Sequence, residues 1–174
     1  MNSFRFPAAL VGLLIAQSSV ALADAGRASP QEVVARVQRA AYLLESKGAA
    51  ALTELRQPSS WFVWKDTYVF VVNCAADKVM ANPAYPERVG GDIKQHTDYA
   101  GKRYGPELCA TAARPGGGWI EYVWLPPGAD KAVRKVSYVM SVAGMPYQVG
   151  AGVHDETIGL DAPHKLTAAN GQRP

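Results

Sequence analysis

Only two cysteines and three histidines occur in this 174-residue chain, and neither type falls into a redox-motif or metal-ligand spacing. Cys74 and Cys109 are not a CxxC pair, which removes the sequence basis for a thioredoxin-like redox role. His96, His154 and His164 form no HExxH or i,i+4 pair. Even with Asp98, Asp155 and Glu156 close in sequence, neither a metal centre nor a cofactor is expected. Gly116-Gly117-Gly118 is not followed by Lys-Ser/Thr and precedes a strand-forming run, so it is no phosphate loop. Ser59-Ser60 lacks the flanking glycines of a hydrolase elbow. Blocks of like charge are missing too: 18 Lys+Arg are interspersed with 15 Asp+Glu for a net charge of +3, unlike the clustered basic face of a nucleic-acid binder. With no cluster of titratable groups to place in a cleft, the chain is not expected to be an enzyme.

The first apolar run, Ala8–Ala16, is shorter than the roughly 20 residues a membrane span needs. It follows Arg5 and precedes Ala21-Leu22-Ala23, a small-residue cleavage site before Asp24. This layout predicts a secretory signal peptide over residues 1–23, with an uncleaved anchor as the alternative. The expected location is therefore the periplasm, with no stable membrane span after cleavage. About 150 residues would remain, enough for one domain and its core. In an oxidising compartment Cys74 and Cys109 are most simply a disulfide, closing a loop of about 35 residues and stabilising the fold by about 3–4 kcal/mol.

Residues 24–28 read as a linker, 29–156 as the domain and 157–174 as a tail. Ser29-Pro30-Gln31-Glu32 carries an N-cap, a first-turn proline and a capping box. Val33, Val34, Val37, Ala40, Ala41 and Leu44 then recur at helical spacing, opposite Glu32, Arg36, Arg39 and Glu45. Gly48 is a C-cap or kink, and Ala49–Leu55 a second short helix ended by Pro58. Trp61–Trp64 and Tyr68–Asn73 read as extended, and the unbroken apolar run of the latter predicts a strand covered on both faces. Trp61 and Trp64 are expected in the core. Val79–Ala81 is a short strand, Asp92–His96 a helical turn, and Pro106–Ala113 a short helix. Three β-rich runs follow, Trp119–Trp124, Val133–Val142 and Tyr147–Val153, separated by Pro126-Pro127-Gly128 and Gly144-Met145-Pro146. Connections this short join antiparallel neighbours. Helices in one part of the chain and antiparallel strands in another predict an α+β fold.

The order Trp64…Tyr68-Val-Phe-Val, Gly90, Asp98-x-x-Gly101-Lys102, then Gly118-Trp119-Ile-Glu-Tyr122-Val-Trp124-x-Pro126 resembles the single Cache domain. Lys135-Val-Ser137-Tyr138-Val and Val149-Gly150-Ala-Gly152-Val resemble its last two strands. The resemblance covers about Pro30 to His154. It implies a PAS-like extracytoplasmic sensor module, in which a long N-terminal helix packs on one side of a five-stranded antiparallel sheet. Small ligands, often short carboxylates, bind on the other side. Members of the family in chemoreceptors and histidine kinases have flanking transmembrane helices. No hydrophobic segment follows Val153 here, so a stand-alone exported form is expected.

Within the late strands, Ile120, Tyr122 and Trp124 share one face, and Val136, Tyr138, Met140 and Val142 oppose Lys135 and Ser137. Tyr122, Trp124 and Tyr138 can supply donors and apolar walls to a small anion, Lys135 a positive charge, and Tyr68 and Asp98 complete the candidate ligand-binding set. Each has a plainer role: core aromatic for Tyr122, Trp124 and Tyr138, solvated strand lysine for Lys135, turn residue for Asp98. Alternation sets Lys135 against Tyr138, so one pocket holds both only if a bulge intervenes. Gly150 and Gly152 leave one face bare for a helix, a ligand or a bend, helix packing being the commonest reason. The expected function is binding or sensing of a small organic ligand, a carboxylate first, without catalysis. The alternative is a structural or interaction protein that contacts a membrane-bound sensor.

Overall fold

The computed structural model describes residues 26–161 and residue 165. The expected signal segment 1–23, the first part of the 24–28 linker, His164 and most of the 157–174 tail lie outside the described residues.

Helix α1, Pro30–Lys47, begins as its sequence requires. The Glu32 amide donates to Ser29 Oγ at 3.3 Å and the Ser29 amide to Glu32 Oε2 at 2.8 Å, satisfying two of the donors a helix start leaves open. Its buried residues are the six of the apolar stripe, Val33 to Leu44. At Gly48 the backbone turns to φ +60°, a region glycine enters without strain. A 3₁₀ turn, Gly48–Ala50, then leads into α2, Ala51–Leu55.

The sheet is five-stranded and antiparallel: β3 (Phe70–Asn73), β4 (Lys78–Ala81), β5 (Gly118–Trp124), β6 (Val133–Ser141) and β7 (Gln148–His154) run in the order β4-β3-β7-β6-β5. The fold is α+β, with α1 packed on one sheet face. The expected extended run before Asn73 is divided. Val63–Trp64 (β1) and Thr67–Tyr68 (β2) form their own hairpin around Lys65 and Asp66, with Lys65 at φ +48°. Asp92–His96 is a hydrogen-bonded turn at Ile93 and not a helix. Helix α3 spans Gly105–Ala112.

Two apolar layers cover the sheet. One contains α1 and α2 with Val71, Trp119, Val136, Tyr138, Val149, Ala151 and Val153. The other contains Tyr68, Phe70, Val72, Ile93, Tyr104, Leu108, Ile120, Tyr122 and Trp124. Strand β3 contributes to both, as its unbroken apolar run predicts. Trp64 is buried in the first layer, but Trp61 is 57% exposed. The Arg36 guanidinium, 3.8 Å from its ring centroid, covers it instead. The Cys74–Cys109 disulfide is formed and ties the end of β3 to α3.

Candidate functional site

Strand register decides which side chains meet. Tyr122 stands opposite Lys135, and Lys135 opposite His154; directly opposed residues project from the same face. The face away from α1 therefore carries Ile120, Tyr122 and Trp124 beside Lys135, Ser137 and Val139, then Gly150, Gly152 and His154. Tyr138 pairs with Trp119 and belongs to the helix side. Its hydroxyl donates to the Gly116 carbonyl at 2.6 Å, and its ring lies 5.4 Å from that of Trp119. The expected grouping of Tyr122 and Trp124 with Tyr138 is thus corrected: Lys135 takes the third place, with no bulge between the strands.

The bare strip at Gly150 and Gly152 faces this side as well, and not the helix. A Cβ at Gly152 would stand 2.3 Å from Ser137 Oγ and 3.0 Å from Lys135 Cε, and one at Gly150 would stand 2.4 Å from the Phe70 ring. The glycines make room for the lysine stem and the Phe70 ring.

Above this strip an aromatic cluster closes. Tyr104 stacks on Tyr122 at 4.5 Å, and Trp124 meets Tyr104, Tyr85 and Tyr99 edge-on at 5.5, 6.1 and 5.7 Å. Trp124 Nε1 donates to Tyr68 Oη at 3.1 Å, and the hydroxyls of Tyr122 and Ser137 share a hydrogen bond of 2.9 Å. Between these rings and an apolar wall of Phe70, Val72, Val79, Ile93 and Leu108 lies a cavity of about 20 Å³, which Asn82, Arg88 and His96 also line. The Arg88 guanidinium sits 4.4 Å from the Trp124 ring centroid. Arg88 Nε and His96 Nδ1 are buried without a hydrogen-bond partner.

Lys135 is fully buried, and its Nζ, 4.3 Å from the Tyr68 ring centroid, also has no hydrogen-bond partner. Burial pushes its amine down to about 7, with the Asp66 carboxylate opposing the shift. His154 is held below its ordinary value, again chiefly by burial, despite Asp66 Oδ2 at 3.7 Å from its Nδ1. Burial alone would raise Asp66; the attraction of His154 and the Ala28 amide at 2.8 Å outweigh it and leave that carboxyl below the usual range. Tyr68 and Tyr122 are raised by burial, and Tyr104 is pushed to about 12. The pocket tyrosines are therefore neutral donors at ordinary pH, and the positive charge must come from Lys135 and Arg88.

Asp98 stands beside the pocket. Its Oδ1 accepts from Ala100 and Lys102 amides at 2.9 and 2.8 Å, and its Oδ2 from the Val123 amide at 2.8 Å. It fastens the Tyr99 loop to the outer edge of β5. Of the residues expected from sequence, the fold brings Tyr68, Tyr122, Trp124 and Lys135 together and sets Asp98 and Tyr138 apart from them. Arg88, His96, Asn82 and Tyr104 were not anticipated as lining. Arg88 follows Pro86 in a short 3₁₀ turn, Pro86–Arg88, where a lone arginine carries no signal, and His96 offers in the sequence only a possible metal ligand. Among the described residues no group of three or more His, Cys, Asp or Glu is arranged to hold a metal.

This architecture has known counterparts. The profile of the family described as single Cache domain 2 matches residues 22–164. The chain belongs to that family. Curated relatives of this Cache domain include the methyl-accepting chemotaxis protein McpP of Pseudomonas putida, 27% identical over 58% of the chain. Another is the sensor histidine kinase MctS of Rhizobium johnstonii, 33% identical over 52%. The chain spans 19% of the length of each, so both are several times larger than the Cache domain they share. Among solved structures, a periplasmic sensor domain of a chemotaxis protein matches with a TM-score of 0.63 at 26% identity, over 73% of this chain and 95% of that one. A Cache chemosensory domain described by its carboxylic acid recognition matches with a TM-score of 0.60 at 24% identity, over 72% and 92%. No helix among the described residues is long and apolar enough to cross a membrane.

Proposed function

We propose that this Cache domain is a periplasmic binding and sensing module for a short organic acid and has no catalytic activity of its own. The observation that carries this reading is the Lys135 amine, fully buried and without a hydrogen-bond partner, on the sheet face shared by Tyr68, Tyr122 and Trp124. A buried polar group left unpaired costs about 1–3 kcal/mol, more when charged, and a carboxylate would offset that. Arg88 and His96, with buried nitrogens also unpaired, line the cavity and supply further donors, and the rings supply an apolar enclosure. The carboxylic-acid recognition described for one structural neighbour accords with this ligand class; the assignment here rests on the lysine. The signal-peptide layout of residues 1–23 and the sensor roles of the larger relatives support the periplasmic setting.

Thermal denaturation against acetate, propionate, pyruvate, lactate and their neutral amides tests the reading. A ligand at 100 times its Kd stabilises by about 2.7 kcal/mol. The acids are expected to raise Tm and the amides not to; a flat response from folded protein across the panel overturns the proposal. A second reading, contact with a membrane-bound sensor, draws on Tyr42 and Trp61, which are 59% and 57% exposed. Periplasmic crosslinking from Tyr42 that captured no such sensor would remove it.

A further inference from the structure

At the end of the sheet where β5 stops, β6 starts and β7 finishes, three connecting segments enclose a second cleft, of about 420 Å³. They are residues 26–28 ahead of α1, the turn between β1 and β2, and the loop from β5 to β6. Its lining shares no residue with that of the aromatic cavity. His154 forms part of its wall while only 5% exposed, and neither ring nitrogen has a hydrogen-bond partner. Nδ1 comes within 3.7 Å of Asp66 Oδ2, beyond hydrogen-bond length. Asp66 is fixed in turn by the Ala28 amide, which donates to its Oδ1 at 2.8 Å. A neutral imidazole carries one donor and one acceptor, and leaving them buried without partners is costly.

Two cations complete this lining. Lys131 is exposed and has no ion-pair partner among the described residues. It follows a turn made at Gly128, with φ +76°, and closed by the Ala129 amide donating to the Pro126 carbonyl at 3.1 Å. Arg27 lines the cleft from the segment ahead of α1 and also acts on Asp155, whose carboxylate accepts from Thr157 and Ile158. Pro126, Ala129 and Val133 add an apolar side.

We propose that this cleft is a second binding site, independent of the aromatic pocket, for a phosphate group carried on a small organic residue. A guanidinium fork, an ammonium and an imidazole, each from a different segment, match the several oxygens of a tetrahedral oxyanion better than the two of a planar carboxylate. The apolar side takes the organic part. A metal ion fits less well, because His154 and Asp66 supply only two ligands and stand beside two cations. The phosphate has two chemical sources, a soluble ester or a phospholipid headgroup. The second is within reach because the apolar run Ala8–Ala16 ends shortly ahead of Arg27.

Isothermal titration of the full chain with glycerol 3-phosphate, and with acetate for comparison, tests the chemistry, while the imidazole ¹H–¹⁵N signals of His154 report where the probe sits. Glycerol 3-phosphate is expected to bind and to shift those signals, and acetate to leave them in place. Lys131→Glu, at an exposed position, should leave Tm unchanged and weaken binding about tenfold or more, the loss of one charge-assisted hydrogen bond. His154→Phe removes both nitrogens and should weaken it as well; if that variant fails to fold, Lys131→Glu decides alone. Flotation with vesicles of phosphatidylcholine, with and without phosphatidylglycerol, separates the sources. Recruitment by phosphatidylglycerol that is lost in Lys131→Glu assigns the headgroup, and binding of glycerol 3-phosphate without such recruitment assigns the soluble ester; either sustains the site. Binding of neither probe, equal binding by wild type and Lys131→Glu, or an equal shift of His154 by acetate overturns the inference.

Discussion

A lysine with neither exposure nor a hydrogen-bond partner alters how the whole protein responds to pH. In the folded chain Lys135 titrates at about 7, against an ordinary 10.5, so between those values the unfolded chain binds the extra proton. Stability then rises with pH over that window, by up to about 1.4 kcal/mol per unit for one proton, and is insensitive to this group below 7, where both states are protonated. Urea denaturation at pH 7, 8 and 9 should show the rise, and Lys135→Met should flatten it. The same substitution should weaken acid binding by about 10- to 100-fold, equivalent to the 1.5–3 kcal/mol of a charged hydrogen bond, as isothermal titration would report. A variant that binds as tightly as wild type would take Lys135 out of the pocket chemistry. Tyr138 provides the contrast: Tyr138→Phe loses the bond to Gly116 on the helix side and is expected to leave ligand affinity unchanged while lowering stability by about 1 kcal/mol.

At the scale of elements, α1 and the disulfide hold the two faces of the sheet. Leu44→Ala, at a fully buried position on α1, should lower unfolding free energy by about 2–5 kcal/mol, and Ser29→Ala by about 1 kcal/mol through loss of the cap. Replacing Cys74 and Cys109 together by Ser should lower it by about 3–4 kcal/mol, the entropy of a loop of about 35 residues returned to the unfolded chain. These elements were legible in the sequence because their signals are local: a capping box, a 3.6-residue period, a glycine at the helix end, a proline at the start of α3. The strands were legible individually for the same reason. Their mutual register was not, because the hydrophobic pattern fixes which residues alternate within a strand but not which face of one strand matches which face of the next. That single unknown set Tyr138 on the helix side and Lys135 on the pocket's side of the sheet, against the Tyr68 ring. Arg88 and His96 stayed invisible because they arrive from loops, whose path depends on what they pack against and not on any period of their own.

For the molecule as a whole, the pocket is tighter than its chemistry requires. A cavity of about 20 Å³ has room for about one water molecule, less than any carboxylic acid occupies. Binding of an acid therefore calls for local displacement of lining side chains such as Arg88, a step that would precede or accompany capture. Stopped-flow tryptophan fluorescence should show a binding rate that saturates as acid concentration rises. A rate that climbs linearly to the highest concentrations would mean that the pocket stands open to ligand without such a step.

The sheet order β4-β3-β7-β6-β5 places its final strand in the middle. Until residues 148–154 leave the ribosome, β3–β4 and β5–β6 are two separate hairpins, each with an uncovered edge and neither able to persist alone in water. The helix-side core shares that dependence, since Val149, Ala151 and Val153 lie within it. Synthesis of this domain is consequently all-or-nothing in time: the growing chain stays pliable for nearly its whole length and gains its architecture in one late event. A polypeptide built this way remains fit to be threaded through a narrow channel during translation, while truncation ahead of Gln148 strands sticky edges that quality control must clear.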